Sequence, residues 1–195
     1  MARNLAGKQN MKKPKIFGIE RRTFFTGKRR VGLDTNILIK LYEQPDMFAE
    51  EQARIFNQRD TMFTHAICVW ELAKHLMKSK GYEEEQAKAE AKKFVKEKNI
   101  ERVYTNIPQE EINAFEKSTN ERFQKEGKSG LHCHKPDSII LLGFKRIGVN
   151  KIISDDGSFR EAARCLGIDS ERIPSLNHKI SKQLRELFGK RKKRY

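Results

Sequence analysis

Val31-Gly-Leu-Asp-Thr-Asn-Ile-Leu-Ile39 decides how this chain folds. Val31 and Leu33 belong to a short buried strand, and the apolar residues after Asn36 take up helical spacing, so the strand turns straight into a helix. Asp34 sits at the junction, with Thr35 and Asn36 directly behind it. In an open parallel sheet, ligands gather in the crevice beyond the carboxyl ends of the strands, so a carboxylate here faces the functional edge. A purely local reading is also open: Asp34 or Thr35 caps the helix, since both are good N-cap residues. Carboxylates recurring in matching positions further along favour the functional one.

Working outward, Ile37, Leu38, Leu41 and Tyr42 keep the helical period until Pro45 ends it. Asp46 can cap a second helix carrying Phe48, Ala49, Ala53, Ile55 and Phe56. Thr61–Thr64 reads as a second strand. From His65 a third helix runs with Ile67, Val69, Leu72, Leu76 and Met77 apolar and Gly81 beyond its end. Glu71 lies among those apolar neighbours, where a carboxylate is costly unless it binds a cation or is hydrogen-bonded. Residues 83–98 open with acids and close with lysines, which complements the helix dipole. They predict a solvated helix with a thin apolar stripe of Ala87, Ala91, Phe94 and Val95. A third strand is expected over Ile100–Ile107, and Pro108 opens a helix with Ile112, Phe115 and Phe123.

Gly127–His134 is a loop. Its His132, Cys133 and His134 are adjacent, cannot easily converge on one ion, and have no second cluster to complete a zinc site. Contact between His132, His134 or Lys135 and a phosphate at the rim of a site is the more modest expectation. Pro136 suits a first helical turn, which puts Asp137 near a helix amino end, where dipole compensation alone would also explain it. Val149–Ser154 is the next strand, and it delivers Ser154-Asp-Asp-Gly-Ser-Phe159. Two carboxylates crowded at a strand end invite a cation. A helix from Phe159 to Leu166 stops at Gly167, an edge strand spans Ile168–Ile173, and a last helix spans Leu176–Phe188.

Alternating strands and helices predict an α/β fold: a three-layer α/β/α sandwich around a central, mainly parallel sheet. Such a sheet can bring Asp34, Glu71, Asp137 and the Asp155/Asp156 pair to one edge. Carboxylates that close repel, so the expected cofactor is Mg²⁺ or Mn²⁺, hard cations that prefer oxygen ligands. With such an ion, phosphodiester hydrolysis is the chemistry to expect.

The charge distribution points the same way. Net charge is +15, yet residues 1–30 carry ten Lys or Arg against Glu20, and residues 178–195 carry eight against Glu186. The remaining 31–177 hold 23 basic and 24 acidic residues, a near-neutral body between two basic ends. Basic arms suit a polyanion, because each neutralised phosphate releases counterions; solubility alone is the plainer explanation. Nucleic-acid contacts are expected from Lys28, Arg29, Arg30, Lys135, Lys190, Arg191, Lys192, Lys193 and Arg194. Mean hydropathy is −0.78, no apolar run is long enough to span a membrane, and no secretory leader is visible, so a cytoplasmic protein is expected. Three widely spaced cysteines fit reduced thiols better than disulfides.

Taken together, Leu33-Asp-Thr-Asn-Ile-Leu-Ile39, the Glu71 helix, Pro136-Asp137 and Ser154-Asp-Asp-Gly-Ser-Phe159 resemble the PIN-domain nucleases. The resemblance runs over about residues 31 to 173 and is sharpest at its first and last motifs. It implies metal-dependent ribonuclease activity, as in toxin ribonucleases of toxin–antitoxin pairs and enzymes of ribosomal RNA maturation. It assigns the acids to Asp34, Glu71, Asp137 and, from the spacing between Ser154 and Phe159, Asp156. Asn36 and Ser154 become supporting residues and Asp155 an auxiliary one. The basic arm ahead of Asp34 and the long charged helix between Glu71 and Asp137 depart from compact toxins.

The division expected is a basic, partly disordered extension over 1–30, the nuclease domain over 31–177, and a helix end with basic tail over 178–195. An endoribonuclease leads. A non-catalytic RNA-binding or ribosome-assembly factor on the same fold is the alternative, disfavoured because an unused buried carboxylate is costly. A phosphatase or receiver domain is third, and a receiver's lysine at a later strand end is missing. An antitoxin, a ribosomal assembly or a homodimer are the partners left open.

Overall fold

β1 (Arg30–Leu33) runs directly into α1 (Thr35–Glu43), with Asp34 between them in extended conformation as the N-cap. This computed structural model describes residues 29–45 and 60–173. Residues 1–28 of the expected amino-terminal arm, the basic tail, the helix expected after Asp46 and the helix over 176–188 lie outside those residues. β2 (Thr61–His65) is one residue longer than its sequence suggests. His65 ends the strand and caps α2 (Ala66–Lys80): its Nδ1 accepts the Ile67 N–H at 3.3 Å, and burial holds its pKa below the usual value. Gly81 closes α2 in the left-handed conformation at φ 69°, the ordinary glycine stop.

α3 (Glu84–Glu97) buries Ala87, Ala91, Phe94 and Val95 and leaves its charged face to solvent, as its periodicity predicts. β3 (Ile100–Val103) is shorter than expected: the chain leaves the sheet at Tyr104, ahead of Pro108, the N-cap of α4 (Gln109–Lys125). α5 (Asp137–Arg146) follows Pro136, β4 (Lys151–Ile153) follows α5, and α6 (Gly157–Cys165) is capped by Asp156. β5 (Asp169–Glu171) closes the described chain.

The sheet order is β3-β2-β1-β4-β5, and every neighbouring pair is parallel. α1, α2 and α3 pack on one another, as do α4, α5 and α6. Right-handed crossovers place the two groups on opposite faces, giving the three-layer sandwich. Burial on both faces explains why β1 reads as an unbroken apolar run rather than an alternation. Gly32 and Gly143 set how closely α5 approaches. A Cβ on Gly32 would lie 2.8 Å from the Phe144 ring, and one on Gly143 would lie 2.6 Å from Thr105 Oγ1. The missing side chains let α5 rest almost directly on the sheet.

Strand order reverses between β1 and β4, because the chain winds outward from β1 in one direction and returns to add β4 and β5 on the other. That is the switch point of an open α/β sheet, where a crevice forms beyond the carboxyl ends. Asp34 leaves β1 there and Ser154-Asp-Asp leaves β4.

Candidate active site

Asp34 is the centre of a hydrogen-bond network joining the two strand ends. It is 7 % exposed. Its Oδ1 accepts the Thr35 N–H at 2.7 Å, and its Oδ2 accepts Asn36 Nδ2 at 2.7 Å and the Ser154 hydroxyl at 2.6 Å. Asn36 also donates to Ser154 Oγ at 3.2 Å and accepts the Asp155 N–H at 3.1 Å. Ser154 Oγ in turn accepts the Asp156 N–H at 3.0 Å. The capping role and the site role of Asp34 therefore coexist. Asn36 and Ser154 hold the carboxylate in one orientation.

Glu71 projects from the first half of α2 and accepts the Thr35 hydroxyl, so a residue one place after Asp34 ties a second acid to the first. Asp137 opens α5. Its carboxylate takes no hydrogen bond from the described residues. Asp156 caps α6 by accepting the Phe159 N–H at 2.8 Å. Asp137 and Asp156 open onto a cleft of about 590 Å³, lined also by Asn120, His132, Cys133, His134 and Ser158.

The acids feel one another. Burial lifts Asp34 to about 6 against the pull of Ser154 and Thr35, and the negative charges of Asp156 and Glu71 add to the rise. Burial likewise lifts Asp137 to about 7, helped by Asp34, Asp156 and Glu71 and opposed by His134. All four carboxylates thus share one electrostatic neighbourhood at the carboxyl edge of the sheet. Among the described residues, no three His, Cys, Asp or Glu side chains stand close enough to form a ready-made metal cage. The donor set nonetheless fits a hard divalent cation: oxygen ligands only, repelling one another, with Asp137 taking no hydrogen bond from the described residues.

Asp155 and Asp156 part company. Asp155 turns to an ion pair with Lys40 of α1, with Arg172 Nε 3.6 Å from its other oxygen, while Asp156 faces the cleft. Lys40, Arg172 and Thr35 are contributors to the site's framework that the sequence reading did not assign. Arg160 also helps, donating to the Ser154 carbonyl at 2.9 Å. The only advance signal for any of them was the position of Thr35 beside Asp34.

The basic residues expected at nucleic acid are placed differently. Arg29 is locked bidentately on Asp60 at 3.0 and 2.9 Å, and the Arg30 guanidinium lies 4.7 Å from the Phe63 ring centroid. Both stand at the amino end of β1, the opposite end of the sheet from the acids. Lys135 donates to Gln109 on α4. His132 and His134 do reach the cleft. Their loop is gripped by Asn120, whose amide bonds both the N–H and the carbonyl of Cys133, at 2.8 and 2.9 Å. Lys28 and Lys190–Arg194 lie outside the described residues.

A chain with a switch-point acidic cleft on this strand order has a family. Residues 31–164 match the PIN domain, and the chain belongs to that family, whose members are generally nucleases and typically use divalent metals. No curated protein matches it. Among solved structures, it is similar to VapBC2 from Rickettsia felis bound to a DNA fragment from their promoter, at 15 % identity and TM-score 0.51, covering 73 % of this chain and 98 % of that one. It is also similar to VapBC-1 from nontypeable Haemophilus influenzae, at 18 % identity and TM-score 0.51, covering 73 % and 97 %. At such identities the likeness is one of fold.

Proposed function

We propose that this chain is a divalent-metal-dependent endoribonuclease. The observation that carries the reading is the placement of Asp34, Glu71, Asp137 and Asp156 toward the switch point, where burial and the charges of the other acids raise the pKa of Asp34 and Asp137. These four would hold Mg²⁺ or Mn²⁺. The bound ion would supply charge neutralisation at the scissile phosphate and activation of water. The chain's own residues do the rest. Asn36, Ser154 and the Thr35 N–H fix the Asp34 oxygens, Thr35 Oγ1 fixes Glu71, and the α6 cap fixes Asp156. Asp155 acts as an auxiliary by tethering Lys40 near the β4 end.

RNA is supported as substrate by the family and by the two basic ends, of which 1–30 would be an extension and 178–195 a tail flanking a nuclease domain over 31–177. The VapBC likeness supports a protein antitoxin as the partner to look for. No described helix is long and apolar enough to cross a membrane, and we place the protein in the cytoplasm.

The test is cleavage of an unstructured RNA with Mg²⁺ or Mn²⁺ and with chelator. Wild type should cut only with metal, and Asp34→Asn, Glu71→Gln, Asp137→Asn and Asp156→Asn should each lose at least about a hundredfold in kcat/KM. Metal-independent cutting, or full activity in any of the four, would overturn the assignment. Tight RNA binding without cleavage under any metal would favour the assembly-factor alternative.

A further inference from the structure

The near-neutral charge of the body hides a local excess. At the outer edge of β3, where the sheet ends among the described residues, a groove of about 390 Å³ lies between the carboxyl end of α3 and the strand. It is lined by Lys92, Lys93, Lys96 and Arg102 against one acid, Glu101. Lys96 and Arg102 have no carboxylate partner among the described residues, and Lys93 has only long contacts, 4.0 Å to Glu90 and 3.9 Å to Glu97. Two residues past Arg102, where the chain leaves the sheet, Tyr104 is 67 % exposed, and the Arg102 guanidinium lies 5.4 Å from its ring centroid. Cations spaced along a groove with an aromatic face at its end are what single-stranded nucleic acid requires: phosphates follow the charge and a base stacks on the ring. An acidic protein segment would use the lysines and leave Tyr104 without a role.

We propose that this groove is a second nucleic-acid site, separate from the acidic cleft, that holds the backbone of single-stranded RNA and stacks a base on Tyr104. The choice of RNA as ligand rests on the ribonuclease reading above. The groove climbs β3 from Asn99 and Ile100 toward Val103, whose partner His65 caps the helix that carries Glu71. Its upper end therefore reaches the same sheet edge as the acids, displaced by two strand spacings from β1, roughly 10 Å. A strand held there arrives at the cleft from the β3 side. The acidic cleft repels phosphate on its own, and this track supplies the attraction beside it.

The experiment is fluorescence anisotropy of a labelled, unstructured 12-nucleotide RNA with the full chain in EDTA, which takes cleavage out of the readout. Lys96→Glu and Arg102→Glu should each weaken binding about tenfold and reduce the salt slope. Tyr104→Ala should weaken it at least about fivefold with the slope unchanged, as loss of one stacked base does. Lys117→Glu makes the same charge change on an exposed residue of α4, on the opposite face, and should alter affinity by less than about twofold. All four positions are exposed, so circular dichroism should report intact folds. Equal losses at Lys117 and Lys96 would overturn the groove as a site. No loss at Tyr104 would overturn single-stranded RNA as its ligand and point to an acidic protein segment. A chain that binds this RNA through the groove yet never cuts any RNA would defeat the ribonuclease reading and leave the groove standing.

Discussion

At Asp34 one carboxylate both caps α1 and anchors the cluster, and the choice of replacement separates the two roles. Asp34→Asn keeps a good N-cap, whereas Asp34→Ala loses it, so both should be inactive while the alanine variant is about 1 kcal/mol less stable than the asparagine one in urea unfolding. Asp155→Asn should keep a substantial part of the activity that Asp156→Asn removes, since Asp155 faces Lys40 and Arg172 rather than the cleft. The reverse ranking in a cleavage assay would exchange their roles. Asp34 at about 6 and Asp137 at about 7 both lie above the ordinary 3.8. Between about pH 4 and about pH 7 these two groups bind more protons in the folded chain than in the unfolded one, so the stability they lend is full at the acid end and lost as pH rises, against the opposite contribution of His65, whose pKa burial lowers. The thermal midpoint of chelated protein should fall across that window. Asp137→Asn should flatten the fall, and Mg²⁺ should restore the midpoint at the alkaline end through binding to the folded state. At this scale Asp34, Glu71 and the Asp155/Asp156 pair stood out as candidates in the sequence, because an acid at a strand end or among apolar residues needs a reason to be there; Asp137 and the choice of Asp156 rested on the family resemblance. The partners of Asp155 were not, since Lys40 and Arg172 come from distant parts of the chain and meet it only in three dimensions.

Among the elements, α5 is the one whose seating most directly sets the site, because it carries Asp137 at its first residue and Phe144 over Gly32 near its other end. Gly32→Val would push on a ring already 2.8 Å from the added carbon. Overpacking of this kind costs about 1–3 kcal/mol, and the helix can relieve it only by lifting. The variant should lose stability in denaturant and lose kcat beyond what its folded fraction explains. A folded variant with normal kcat would show that α5 is free to shift without disturbing Asp137. The solvated helix α3, with its stripe of Ala87, Ala91, Phe94 and Val95, was readable from period and charge order alone. The early end of β3 was not: Tyr104–Ile107 is apolar enough to continue a strand, but the chain turns away at Tyr104 toward the Pro108 cap, and α4 begins there. Likewise, the lysines of α3 read as solvated surface, because nothing in the sequence says that β3 is an edge strand beside them.

For the molecule as a whole, the sandwich was legible because β/α alternation leaves few topologies, and right-handed crossovers prune the rest. The charge layout leads to a separable test. Deleting residues 1–15 and 190–195 should weaken RNA binding for all sequences and lower the slope of log affinity against log salt, with turnover at saturating RNA little changed. Equal slopes for full-length and trimmed protein would make the ends solubility tails.

The Asp34–Ser154 hydrogen bond joins residues 120 positions apart, and β1 completes its pairing only when β4 joins it. A ribosome makes the chain from its amino end, so Asp34, Glu71 and Asp137 all leave the exit tunnel before the strand that organises them. Pairings this far apart in sequence form slowly, after the local helices. A chain made only as far as residue 150 therefore carries three of the four acids with no β4 beside Asp34, no serine to orient it and no Asp156. On the ribonuclease proposal, the order of synthesis would withhold the assembled site until β4 and Asp156, in the last quarter of the chain, are free.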